Sequence, residues 1–197
     1  HGKIKPIHLW DGGKRQSIHM PGPGGLEGGA MALFRARFLA DDIYQITGEA
    51  LQRRGIRLLL ADLDNTLAPY GAPVPDERLK AWRDELAEHG VTLFILSNNR
   101  HESRPRIFAE ALDVPYIGHA GKPKTASFFK AMERMKAAPE QTAIVGDQIF
   151  TDILGGSRAG VATILVRPIR LAGNPGRYLR YAVEVPFRLL SRGGEEL

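Results

Sequence analysis

The sequence predicts an α/β domain built on a mainly parallel sheet, and three observations carry that prediction. Apolar runs at 58–61 and 91–96 have the length of buried strands. Stretches with helical spacing of apolar residues separate these runs and others like them. A length of 197 residues suits one domain with a core of its own.

The elements follow in chain order. Residues 1–30 are glycine-rich, show no sustained helical or strand period, and lack the charged-then-apolar order of a signal peptide. They read as a disordered expression leader, the alternative being a natural disordered arm. After Met31, the residues Leu33, Phe34, Phe38, Leu39, Ile43, Tyr44 and Ile46 suggest a helix or two packed on the body, making 31–55 an N-terminal helical segment. Thr47 is placed to cap a short helix ending at Gly55. Residues 57–62 read as a buried strand, and 75–89 as a helix with Leu79, Trp82 and Leu86 on one face and Gly90 as its stop. Next come a strand at 91–97 and a helix at 103–112 with Ile107, Phe108 and Leu112 inward. A short strand at 114–117 and a helix at 124–135 carrying Phe128, Phe129, Met132 and Met135 follow. A strand at 142–146, a short helix at 151–158 and a strand at 161–166 complete a domain spanning 56–170, with a basic tail at 171–197.

Composition narrows the chemistry. The absence of cysteine excludes disulfides, thiol catalysis and thiolate metal sites. No apolar run approaches the length of a membrane span. The formal net charge is +5, yet residues 31–166 hold 17 basic and 17 acidic residues, so the excess lies at the two ends. A neutral body without a basic groove argues against nucleic acid as a partner. In the tail, arginines interleave with Tyr178, Leu179, Tyr181, Val183, Phe187, Leu189 and Leu190. One reading is a segment lying on an anionic membrane. The other is a helix packed on the body or against another subunit, and Pro186, which interrupts the membrane helix, favours it.

In open parallel sheets, ligands bind beyond the carboxyl ends of the strands. The expected strand ends carry Asp62, Asp64 and Thr66, then Ser97, Asn98 and Asn99, then Lys122, then Asp147 and Asp152. Each set alone has an ordinary explanation: a solvated loop, a turn, a surface lysine, acids at a helix start. Together, after successive strands, they read as a site. Carboxylates converging at one edge repel, and a hard divalent cation relieves that cost. Oxygen ligands without His or Cys suit Mg²⁺, which would recruit a phosphate. Ser97, Asn98 in the loop that follows, and Lys122 would bind the remaining phosphate oxygens. Asp62 is a sound nucleophile, because a carboxylate can form an acyl phosphate. Asp64 would serve as general acid to the leaving oxygen and general base to water.

These residues resemble the motifs of the haloacid dehalogenase (HAD) superfamily of phosphatases. Asp62-x-Asp64-x-Thr66 is similar to the first motif, Ser97 to the second, Lys122 to the third and Gly146-Asp147 with Asp152 to the fourth. Leu63-Asp64-Asn65-Thr66-Leu67, Leu96-Ser97-Asn98-Asn99, Lys122-Pro123 and Gly146-Asp147-Gln148-x-x-Thr151-Asp152 resemble the YqeG-type subfamily of class IIIA. That subfamily is related to phosphatidylglycerophosphate phosphatases. The resemblance implies a three-layer, Rossmann-like fold. It implies that Asp62 attacks phosphorus and ligates Mg²⁺, that Asp64 offers its main-chain carbonyl to the metal, and that Asp147 completes the protein ligands. It gives Thr66 and Asp152 supporting roles.

Asp62 and Ser97 lie 35 residues apart, and Ser97 and Lys122 lie 25 apart. One helix and one strand fill each interval, leaving no room for a cap domain. An open site suits a bulky phosphomonoester such as a phospholipid headgroup. The reading is a cytoplasmic phosphatase with peripheral membrane contact or oligomerisation through the tail. Two alternatives stand beside it: a phosphatase of nucleotides, nucleic-acid ends or sugar phosphates, and a non-catalytic module that binds a phosphorylated ligand or a protein.

Overall fold

The computed structural model describes residues 8–11, 14–17, 30–169, 185 and 195–196. The chain divides into two units, His1–Ala30 and Met31–Leu197. In the first, strands β1 (His8–Asp11) and β2 (Lys14–Ser17) pair antiparallel in the register His8↔Ser17. The leader reading otherwise falls on residues outside those described. So does the reading of the tail, apart from 185 and 195–196.

The second unit is an α/β domain. Its elements are β3 (Phe38–Leu39), α1 (Gly48–Arg53), β4 (Leu58–Ala61), α2 (Glu77–Glu88), β5 (Thr92–Leu96) and α3 (Ser103–Leu112). Then come β6 (Tyr116–Ile117), α4 (Ala126–Arg134), β7 (Thr142–Gly146), α5 (Leu154–Ala159), β8 (Ala162–Leu165) and β9 (Glu195–Glu196). The sheet order is β6-β5-β4-β7-β8-β3-β9, and every pairing is parallel. Strand β4 is central, which is why all four of its residues are apolar and buried. Its two faces feed different cores. Leu59 and Ala61 pack with Leu79, Trp82, Phe108 and Leu112 of α2 and α3. Leu58 and Leu60 pack with Phe128, Ala131 and Met132 of α4 and Ala159 of α5. The period of two along the strand thus builds the three layers.

Helices α1 and α2 begin and end where their side chains say they should. Thr47 caps α1 by accepting from Ala50 N at 3.2 Å, and Gly55 follows it with φ +73°. Asp76 caps α2 by accepting from Leu79 N at 2.8 Å, and Gly90 stops it with φ +73°. Trp82 donates its indole Nε1–H to Ile46 O at 2.8 Å, tying α2 to the segment before α1.

In the segment after Met31, Ala30–Phe34 and Ile43–Gln45 are 3₁₀ turns, Gly48–Arg53 is an α-helix and Phe38–Leu39 is a strand on β8. One expectation, the inward placement of Ile107, is corrected. Ile107 is 39% exposed, because the inward face of α3 is Pro105, Phe108, Ala109 and Leu112, and Ile107 falls off that stripe. On α4, Phe128 is buried and Phe129 is 41% exposed. Among the described residues no helix is long and apolar enough to cross a membrane.

The chain runs from β4 outward through β5 to β6, then returns to β7 on the other side of β4. The order of strands therefore reverses between β5 and β7, and the carboxyl ends of β4 and β7 flank the crevice this creates.

Candidate active site

The first group of site residues stands on the end of β4. Asp62 N donates to Val145 O at 3.0 Å, which extends the ladder one residue past the strand and fixes the Asp62 backbone. Beyond it the chain folds back tightly. Leu67 N and Ala68 N both donate to Leu63 O at 3.1 Å, and Asn65 N donates to Ala68 O at 2.7 Å. Asn65 sits at φ +66°, a conformation asparagine tolerates better than most residues. Its side-chain oxygen accepts from Tyr70 N at 3.1 Å, locking the turn. Buried Thr66 donates its hydroxyl towards Asp147 Oδ1 at 3.4 Å.

Strands β5 and β6 deliver the second group. Ser97 N donates to Ile117 O at 3.0 Å, and Ser97 Oγ accepts from Asn99 N at 3.1 Å. Asn98 pairs with Lys122 in both directions: its Nδ2 donates to Lys122 O and its Oδ1 accepts from Lys122 N, each at 2.9 Å. Its side-chain amide thus fixes the lysine loop, and Asn98 also lines the pocket. Gly121 at φ +68° and a cis Lys122–Pro123 bond shape that loop.

Lys122 is buried, with 1% of its side chain exposed, and it answers two carboxylates. Its Nζ lies 2.8 Å from Asp62 Oδ1 and 2.7 Å from Asp152 Oδ1. Burial works against its charge, but Asp152 and then Asp62 outweigh burial and raise its pKa. Burial pushes the Asp62 carboxyl up to about 6 against the pull of Lys122, and Asp152 and Asp64 add to the rise.

Strand β7 supplies Asp147 and, one π-helical turn on (Ile149–Ile153), the fully buried Asp152. Asp152 Oδ2 accepts from Gln148 N at 3.2 Å. Gly146 makes room for this carboxyl: a Cβ there would lie 2.3 Å from Asp152 Cγ.

Carboxylate oxygens of Asp62, Asp147 and Asp152 all lie within 4.8 Å of one another, and all three residues are buried. Among the described residues, one buried lysine, Lys122, offsets them. An all-oxygen cluster with a net negative charge fits a hard divalent cation such as Mg²⁺. Asp64 is not in this group. Its carboxylate instead accepts from Arg104 Nε at 2.6 Å and Asn99 Nδ2 at 2.7 Å.

Asp62, Asp64, Ser97, Asn99, Lys122 and Thr151 are among the residues lining a pocket of about 270 Å³ at this sheet edge. Between β4 and β5 the chain contains α2, and between Ser97 and Lys122 it contains α3 and β6. No cap domain stands in either interval. The structure brings Asp62, Asp64, Thr66, Ser97, Asn98, Asn99, Lys122, Asp147 and Asp152 to one edge. Sequence reasoning missed Arg104, which nothing in the sequence separates from Arg100 or Arg106.

Comparison with known proteins adds a second line of observation. Residues 119–168 match the family described as HAD-hydrolase-like. The "Probable phosphatase YqeG" of Bacillus subtilis is 40% identical over 158 residues, which cover 78% of this chain and 90% of that protein. "Phosphatidylglycerophosphate phosphatase 1, chloroplastic" of Chlamydomonas reinhardtii is 29% identical over 76% of this chain. The "chloroplastic/mitochondrial" phosphatase of that name from Arabidopsis thaliana is 27% identical over 68% of this chain. The matches span 59% and 41% of the lengths of these two proteins.

Proposed function

The chain belongs to the haloacid dehalogenase superfamily, among phosphatases of the YqeG type, and from that premise we propose a Mg²⁺-dependent phosphomonoester hydrolase working through an aspartyl-phosphate on Asp62. One observation carries the reading. Asp62 is a buried carboxylate on a rigid strand end, 2.8 Å from a buried lysine, in a pocket it shares with a second aspartate.

Asp62 and Asp147, with the main-chain carbonyl of Asp64, would hold the cation, and Asp152 would stand behind them on Lys122. When bound, Mg²⁺ neutralises phosphate charge and so lets an anionic nucleophile approach an anionic ester. Ser97 and Lys122 hold the phosphoryl oxygens from the other side. An Asp62 carboxylate oxygen forms a bond to phosphorus as the bond to the ester oxygen breaks. The electron pair leaves on that oxygen, which takes the proton of the Asp64 carboxyl. Water then attacks phosphorus, gives its proton to the Asp64 carboxylate, and the pair in the broken acyl-phosphate bond returns to Asp62.

A phospholipid headgroup, phosphatidylglycerophosphate being the example that the algal and plant relatives supply, is the proposed substrate class. The uncapped pocket supports it, since a headgroup can enter without a domain having to open. Hydrolysis of phosphatidylglycerophosphate in mixed micelles, compared with glycerol 3-phosphate and nucleoside monophosphates, tests the substrate. A preference for nucleotides over the lipid would sink it. Asp62→Asn should reduce turnover about a thousandfold or more while the chain stays folded. Substantial activity in that variant would sink the mechanism.

A further inference from the structure

A general acid works only when its proton points at the leaving oxygen. The Asp64 carboxylate is held in one orientation, by Asn99 Nδ2 on Oδ2 and Arg104 Nε on Oδ1. Arg104 is itself fixed on three sides. Its two terminal nitrogens donate to main-chain carbonyls, to Pro69 O at 3.0 Å and to Ala72 O. Its guanidinium lies 5.0 Å from the centroid of the Phe108 ring, one helical turn along α3. The donor stands on the first turn of α3, and all three oxygen acceptors stand on the segment that follows β4. One planar fork thus joins the acid to both the far end of its own loop and the neighbouring helix. A lysine, with a single compact ammonium, could not make this set of bonds.

We propose that Arg104 is a positioning residue for the phosphatase reaction, aiming the Asp64 carboxyl at the leaving oxygen without touching the phosphate. The inference rests on the phosphatase reading given above. It concerns the step in which the ester bond to phosphorus breaks, its electron pair passes to the leaving oxygen, and that oxygen takes the Asp64 proton. The need for the proton depends on the leaving group. An alkoxide leaves poorly unless protonated, whereas p-nitrophenolate leaves without help. Damage to the aim of Asp64 therefore falls on alkyl esters, while general damage to the fold or to phosphate binding falls on both kinds alike.

The test is kcat/KM of the full chain and of Arg104→Ala on glycerol 3-phosphate and on p-nitrophenyl phosphate, at saturating Mg²⁺. The alkyl ester should lose about tenfold or more beyond any loss on the aryl ester, within the range general acids contribute. Arg104→Lys, which keeps the charge but not the fork, should show the same selective loss, and it carries the comparison if the alanine variant does not fold. Equal losses on the two esters would overturn the inference and leave the phosphatase reading standing. Failure of the unaltered chain to hydrolyse either ester would overturn the phosphatase reading, and this inference with it.

Discussion

Lys122 and Asp62 show how single residues answer to their surroundings. A carboxyl raised by burial from 3.8 to about 6 holds a proton in the folded chain that the unfolded chain has already lost. The folded state then binds more protons than the unfolded one between those values, so stability falls as pH rises from about 4 to about 6. Without divalent cations, urea midpoints should drop across that window, and Asp62→Asn should flatten the drop. An unchanged slope in the variant would show that other groups set it. Asp62 and Asp147 could be read from the sequence because each is the first polar residue after a continuous apolar strand. Arg104 could not, because an exposed-looking arginine early in a helix is ordinary. Its role comes from Asp64, Pro69 and Ala72 meeting it in space, across more than thirty positions of chain.

At the scale of elements, legibility follows the burial of both faces. Strands β4, β5 and β7 announce themselves as apolar runs because the sheet interior demands it. Strand β3 does not. Phe38 and Leu39 lie in a stretch whose apolar spacing suits a helix, and only the free edge of β8 makes them a strand. Arg37 N donates to Thr163 Oγ1 at 3.0 Å and Ala40 N to Leu165 O at 3.1 Å, bonds the local sequence cannot foretell. Close approach is equally silent in the sequence. A Cβ on Gly156 of α5 would lie 2.4 Å from Ile144 Cγ2 and 2.8 Å from Thr163 Cγ2, so this helix needs glycine for space against β7 and β8. Gly156→Ala should therefore destabilise the chain by about 1–3 kcal/mol, the usual cost of overpacking, despite alanine's better helix propensity. Thermal unfolding measures this, and a raised midpoint would mean that α5 can move outward.

At the scale of the whole domain, three buried aspartates gather at one edge of the sheet, and no cap domain is inserted between β4 and β5 or between Ser97 and Lys122. If Asp62 and Asp147, with the main-chain carbonyl of Asp64, hold a cation, the metal binds the folded chain alone and stabilises it by mass action, by about 2.7 kcal/mol at a hundred times the dissociation constant. Mg²⁺ added to metal-free protein should raise the unfolding midpoint in a concentration-dependent way, and Asp147→Asn should abolish most of the rise. A midpoint indifferent to Mg²⁺ would remove the cation from this cluster. The all-parallel sheet has one more consequence, and it concerns the order in which the chain is made. Strand β3 pairs with β8, and Arg37 meets Thr163 across 126 residues. A ribosome adding roughly 5–20 residues per second takes on the order of ten seconds to deliver that partner. Phe38 leaves the ribosome long before the strand it pairs with. During that interval a nascent chain carries Phe38 and Leu39 without their strand partner, and the helper that would recognise such exposed apolar residues is a chaperone.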